Sequence, residues 1–266
     1  YDDELVMAGQ GTIGNEILRQ WRDVDYVFVA VGGGGLIAGV AAYLGDVAPH
    51  VKVIPVEYDE SACLKAAFEA GERVVLPQVG LFADGTAVAQ IGEKPFEVIQ
   101  LQKSDNSGPI VEREVVLVNT DEICAAIKDT YDECRSIVEP SGAMALAGIK
   151  KYVETHELIG QNIVSIVCGA NMNFDRLRYI AERTELGERK EAIFAVTIPE
   201  KKGSFLNFCR ALQGRNITEF NYRASDASAA QVFVGISLKG GEKERHDIFE
   251  ALKTQFDVDD LSDDEV

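Results

Sequence analysis

The sequence predicts an α/β unit built on a parallel sheet, followed by a smaller α+β unit. Three observations carry this. Between residues 1 and 186, short apolar runs alternate with helical patterns, as strand–helix–strand crossovers require. The run Tyr26-Val27-Phe28-Val29-Ala30-Val31 has no polar interruption, which suits a strand buried on both faces of a parallel sheet. From residue 191 the order changes to strand, helix, strand, strand, helix.

The elements follow from local signals. Ile13, Ile17, Leu18 and Trp21 lie on one helical face, and Thr12 is the expected N-cap. After the strand at 26–31 come Gly32, Gly33, Gly34 and Gly35 and a helix over 36–44. A strand at 51–56 and a helix at 61–70 are next. A short strand at 115–118 leads to a helix at 121–134, capped by Asn119 or Thr120. Pro140 and Ser141 open a helix to about His156, with Pro at the first turn. A strand at 162–167 ends in Cys168-Gly169-Ala170-Asn171, and Asn173 caps a helix over 174–183. The second unit has strands at 191–198, 217–222 and 231–238 and helices at 203–212 and 242–255. That is one strand short of a ferredoxin-like βαββαβ unit. Residues 1–186 form the first domain, 187–190 the linker and 191–266 the second. Both are expected to be incomplete, the second with an unpaired sheet edge that favours self-association.

Composition narrows the function. The chain has 266 residues, 26 Lys+Arg against 44 Asp+Glu, and a net charge of −18. That balance excludes nucleic acid and anionic membrane as partners, which need a basic footprint. No apolar stretch approaches the roughly 20 residues of a membrane-spanning helix. Five Cys, with no CxxC pair, suit an intracellular compartment. The three His are isolated and no zinc spacing occurs, so no metal site is expected. The chain begins at Tyr1 without a signal peptide, which reads as the inside of a longer protein.

The four glycines are the sharpest chemical signal. A strand that runs through glycine into a helix exposes backbone N–H groups at the positive end of the helix dipole, and these can cradle a phosphate. The competing readings are tight packing and a flexible linker, and the linker fits poorly with apolar flanks. Which phosphate stays open on spacing alone. Gly33-x-Gly35-x-x-Ala38 satisfies the relaxed dinucleotide fingerprint, and Glu57 ends the next strand where a ribose-binding acid belongs. Glu57 reads equally well as a solvated carboxylate. Cys168 sits at a strand end where ligands bind in open sheets, though a Cys there is more often a small buried hydrophobe. Glu139-Pro140-Ser141 reads as a helix entrance and Asp84-Gly85-Thr86 as a turn.

Taken together, these segments resemble the biosynthetic threonine dehydratase family, pyridoxal-phosphate enzymes of fold type II (tryptophan synthase β-like). The resemblance rests on Ala8 to Gly14, Val31 to Leu36, Phe82 to Val88, Val138 to Ala147 and Gly169 to Asp175. It extends to Ala195–Phe205 and Thr218–Tyr222, and it displaces the dinucleotide reading. It implies that Gly32, Gly33, Gly34, Gly35 and Leu36 surround the phosphate of pyridoxal 5'-phosphate. It places Cys168 opposite the pyridine nitrogen, where a thiol is at most a weak hydrogen-bond partner. The second unit would be an ACT-like regulatory domain, with Pro199 to Gly203 opening a helix whose amides suit an amino-acid carboxylate.

The implied reaction is deamination of L-threonine to 2-oxobutanoate and ammonia, the first step of isoleucine biosynthesis, regulated by isoleucine and valine in a homo-oligomer, dimer or tetramer. The location is intracellular, in the cytoplasm or, in a eukaryote, a plastid or mitochondrion. One feature departs from the family. None of the thirteen Lys lies in the Ser-x-Lys context of the Schiff-base lysine. Lys52, the one nearest the predicted sheet, reads as solvent-facing. No catalytic residue is therefore assigned in these 266 residues, which are expected to be inactive alone. Two alternatives remain: a non-catalytic amino-acid or phosphate-ligand sensor on the same lobe, and another fold type II lyase or racemase.

Overall fold

The computed structural model describes residues 1–101, 103–104, 108–187, 191–224 and 229–262. The chain divides into two units, Tyr1–Ile180 and Ala181–Val266. Residues 188–190 of the expected linker lie outside the described residues.

In the first unit the order is α1 (Glu4–Gln20), β1 (Tyr26–Ala30), α2 (Gly35–Val47), β2 (Lys52–Tyr58), α3 (Cys63–Ala70) and α4 (Glu93–Leu101). The two-residue strands β3 (Lys103–Ser104) and β4 (Gly108–Pro109) pair with each other. Then come β5 (Val116–Val118), α5 (Thr120–Cys134), α6 (Pro140–His156), β6 (Ile163–Ser165) and α7 (Arg176–Gly187), whose residues from Ala181 on belong to the second unit. The sheet is parallel, in the order β5-β2-β1-β6. Its centre is buried on both faces, as the apolar run of β1 demands. Val27, Val29 and Val31 join a core with Ile37, Val40 and Leu44 of α2. The alternate residues Phe28 and Ala30 join another with Ile127 of α5 and Met144 of α6.

Helix α1 begins nine residues before the expected start. Asp3, not Thr12, is its N-cap, accepting from the amides of Leu5 and Val6. Gly11 and Gly14 lie inside the helix because α2 crosses there. A Cβ on Gly11 would stand 3.0 Å from the Gly39 carbonyl oxygen, and one on Gly39 would strike the Met7 carbonyl. Helix α5 carries the Asn119 cap as a full capping box with Glu122. Helix α4 had no counterpart in the sequence reading. Its first amides, on Glu93 and Lys94, are capped by the Asp2 carboxylate at 2.9 and 2.8 Å.

The second unit holds β7 (Glu191–Pro199), α8 (Ser204–Ala211), β8 (Ile217–Ala224), β9 (Ala229–Ser237), α9 (Gly241–Lys253) and β10 (Asp257–Asp260). The antiparallel sheet runs β10-β7-β9-β8. The expected gap is therefore filled: the acidic run supplies the sixth element, and the edge of β7 is paired. Val258 points inward from β10, and Arg245 holds Asp260 at 2.8 Å. Carboxylates outside and one apolar residue inside make an edge strand that resists further pairing. No helix among the described residues is long and apolar enough to cross a membrane.

Candidate cofactor site

The site lies at the carboxyl ends of β1 and β6. The chain leaves β1 towards β2 on one side and later returns to β6 on the other, which makes these strand ends the place where open sheets bind ligands. The turn after β1 is Gly32 to Gly35, running directly into the 13-residue α2. Gly34 is its N-cap at φ +88 and makes no side-chain cap bond, a conformation that favours glycine. The first amides of the helix have no intrahelical partner.

The first three carbonyls of the turn are held. The Cys63 thiol donates to Gly32 O at 3.4 Å, Gly92 N–H donates to Gly33 O at 3.0 Å, and Ala38 N–H donates to Gly34 O at 3.0 Å. Side chains would not fit. A Cβ on Gly32 would stand 2.9 Å from Thr86 Cα, one on Gly33 would strike the ring of Tyr1, and one on Gly34 would stand 2.9 Å from Ile91. Leu36 is partly buried against the core of the first unit.

Contacts continue from this turn to Cys168. Thr86, from the turn Asp84–Thr86, packs on Gly32, and its hydroxyl lies 3.4 Å from that of Ser141 at the start of α6. A Cβ on Gly142 would overlap the Cys168 carbonyl oxygen, so the start of α6 presses on the turn after β6. The Glu139 carboxylate accepts from Asn171 N–H at 2.8 Å, and Glu139 N–H donates to Gly169 O at 3.2 Å. Burial first, and the nearby Glu139 second, push the Cys168 thiol up. It stays neutral at physiological pH. Thr86, Glu139 and Ser141, which read from sequence as a turn and a helix entrance, thus meet here. The signal was Gly85 and Gly169: a Cβ on either would collide with Glu139.

Two expectations are corrected. Glu57 is neither ribose-facing nor solvated. It is 0% exposed and accepts from the amides of Leu64 and Lys65 at 2.7 and 2.9 Å, capping α3. Desolvation outweighs these bonds and raises its pKa to about 7. Lys52 is half-buried and ion-paired with Glu112 at 2.8 Å. It begins β2, at the end of the sheet opposite the glycine turn.

The donor set fits pyridoxal phosphate. A turn with no side chains of its own at a helix N-terminus suits its phosphate, and a neutral thiol beyond the end of β6 suits an uncharged ring nitrogen. It does not fit a dinucleotide, since the carboxylate needed for a ribose is committed to α3.

In the second unit Gly203 caps α8 at φ +97 without a side-chain bond. The Tyr222 hydroxyl donates to Glu200 in the preceding turn.

Comparisons with known proteins agree with this arrangement. The family model described as pyridoxal-phosphate dependent enzyme matches residues 1–169. The C-terminal regulatory domain of threonine dehydratase matches residues 182–266. The biosynthetic L-threonine dehydratase of Escherichia coli is 51% identical over 100% of this chain and 50% of its own length. The mitochondrial threonine dehydratase of Schizosaccharomyces pombe is 48% identical over 100% and 44%. The processed form of threonine deaminase isoform 2 from Solanum lycopersicum superposes with a TM-score of 0.64 at 47% identity, covering 70% of this chain and 49% of that one. The chain thus spans about half the length of the curated relatives it matches. With its glycine turn at the switch point of a parallel sheet and a family model covering the whole of that sheet, the chain belongs to the pyridoxal-phosphate-dependent enzymes of fold type II.

Proposed function

We propose that this chain is part of a regulated threonine ammonia-lyase, which converts L-threonine to 2-oxobutanoate and ammonia by β-elimination of water. The observation that carries this is the order of two matches in one chain, a pyridoxal-phosphate unit at 1–169 and a threonine dehydratase regulatory unit at 182–266. A racemase or a stand-alone sensor would not account for the second.

Bound pyridoxal phosphate would supply an electron sink for the carbanion left when the α-proton departs. The protein's part is binding and tuning. Gly32, Gly33, Gly34, Gly35 and Leu36 would surround the phosphate with backbone amides, aided by the α2 dipole. Cys168 would face the ring nitrogen as a neutral thiol, which holds no proton there as a carboxylate would, so the sink would be weaker. Elimination tolerates this, because the carbanion need persist only until the β-hydroxyl leaves. Glu139 fixes the turn that carries Cys168.

The second unit, residues 191–266 in our division, serves feedback control by isoleucine opposed by valine, with the Pro199–Gly203 turn receiving the effector carboxylate. The protein works as a homo-oligomer, dimer or tetramer, in the cytoplasm or, in a eukaryote, in mitochondria or plastids. The mitochondrial threonine dehydratase of fission yeast and the chloroplastic one of Arabidopsis thaliana support an organelle in the latter case.

The test is release of 2-oxobutanoate from L-threonine by the full-length protein reconstituted with pyridoxal phosphate, with and without isoleucine. Racemisation of serine with no 2-oxobutanoate formed would overturn the assignment.

A further inference from the structure

The phosphate-binding turn has one feature that its glycines do not explain. A planar trans peptide points its carbonyl and the following N–H in opposite directions. Fixing a carbonyl therefore aims the next amide. In this turn Gly33 O and Gly34 O are fixed by backbone donors, so the amides of Gly34 and Gly35 are aimed by the fold itself. Gly32 O is fixed by a side chain, the Cys63 thiol, from 31 residues further along the chain. Glycine on both sides of that peptide leaves its plane free to rotate unless something holds it.

Cys63 is itself held. It is the first residue of α3 and fully buried. The amides of the next two residues, Leu64 and Lys65, are bound by the two oxygens of the Glu57 carboxylate. Glu57 is the penultimate residue of β2, which pairs with β1, so the support reaches the turn through the sheet and through α3 together. The thiol carries its proton: burial and the adjacent Glu57 push it up to about 12.

We propose that Cys63, anchored by Glu57, is a positioning residue for the cofactor phosphate, its thiol locking the Gly32–Gly33 peptide so that the Gly33 amide points into the site. The inference rests on the cofactor reading above and adds to it a residue outside the glycine turn.

The experiment compares full-length wild type with Cys63→Ala, Cys63→Ser and Cys124→Ala. Cys124 is an equally buried thiol on α5, in the other core cluster, and serves as a matched cavity control. Pyridoxal phosphate affinity is measured by equilibrium dialysis of the apoprotein, alongside Tm of the same apoprotein. Removing one hydrogen bond predicts a Kd raised about fivefold in Cys63→Ala. Cys63→Ser keeps a donor and should return to within about twofold of wild type, whatever its Tm. Cys124→Ala should lower Tm without moving Kd. Equal Kd in wild type and Cys63→Ala overturns the proposal. So does a Kd that follows Tm across all three variants. If wild type itself fails to bind pyridoxal phosphate, the cofactor reading falls, an outcome distinct from either of these.

Discussion

Glu57→Gln should remove a pH dependence that the wild-type fold carries. Burial raises the Glu57 pKa from its ordinary 4.5 to about 7, even though the amides of Leu64 and Lys65 favour the ionised form. The unfolded chain therefore loses this proton near pH 4.5 and the folded chain near pH 7. Between those values the folded state binds more protons, so stability falls as pH rises and levels off above about 7. The displacement is worth ~3 kcal/mol at its full extent. Gln has the same shape and cannot ionise. The difference in unfolding free energy between Glu57→Gln and wild type should thus move by ~2.5 kcal/mol in favour of Gln from pH 5 to pH 8. In a unit of this size that is about 5–10 °C in relative Tm. At pH 5 the variant should be equal to wild type or slightly weaker, since the amide NH2 faces an N–H donor. The assay is denaturant unfolding of both proteins at half-unit pH steps. Every other carboxylate is common to the pair and cancels. Parallel curves across the range would refute the argument, and would mean that the Leu64 and Lys65 amides outweigh desolvation.

Other consequences can be tested directly. Gly39→Ala should cost about 2–4 kcal/mol, because its Cβ would strike the Met7 carbonyl at the α1–α2 crossing. Gly9→Ala, in α1 with nothing within 4 Å, should instead stabilise by about 0.5–1 kcal/mol. A thermal melt of each decides. Arg245→Ala should weaken the second unit by about 1–2 kcal/mol and expose β7 to hydrogen exchange, since the Arg245–Asp260 pair pins β10. Unchanged exchange at β7 would count against that role. Cys168→Asp should depress kcat for L-threonine in the full-length protein more than tenfold, whereas Cys168→Ala should cost less than tenfold, if a neutral partner to the ring nitrogen is what the reaction needs. The 266 residues supplied with pyridoxal phosphate should release no 2-oxobutanoate from L-threonine, because none of their lysines stands in the Ser-x-Lys context. Sustained release would show that one of them serves.

Some of this structure could be read from local sequence, and the reason is physical. An uninterrupted apolar strand must be covered on both sides, and β1 is. Asn119 with Glu122 three residues later is a self-contained capping box, and α5 starts there. Pro140 opens α6 because its missing N–H is one the helix would leave unpaired. What could not be read depends on partners distant in sequence. Helix α4 is capped by Asp2, 91 residues before Glu93, so its N-terminus carries no local sign. Strand β10 hides in an acidic run, because an edge strand needs only one inward apolar residue, Val258. Thr12 looks like a cap, yet inside α1 its hydroxyl donates to the Gly9 carbonyl.

The candidate site divides along the same line. Gly32 to Gly35 could be recognised because exclusion of side chains is written in the residues themselves. The direction in which those amides point is not. A glycine turn that admits a phosphate also admits many other conformations, and its selectivity for one comes from whatever fixes its carbonyls. Here those groups are Gly92, Ala38 and Cys63, none of them within the turn. Glu57 illustrates the consequence. By spacing alone it stood where a ribose-binding acid belongs. In the fold the same carboxylate anchors the helix that carries Cys63. A carboxylate at that strand end can support the phosphate turn from behind or bind a sugar in front of it, and only the amides of α3 decide which.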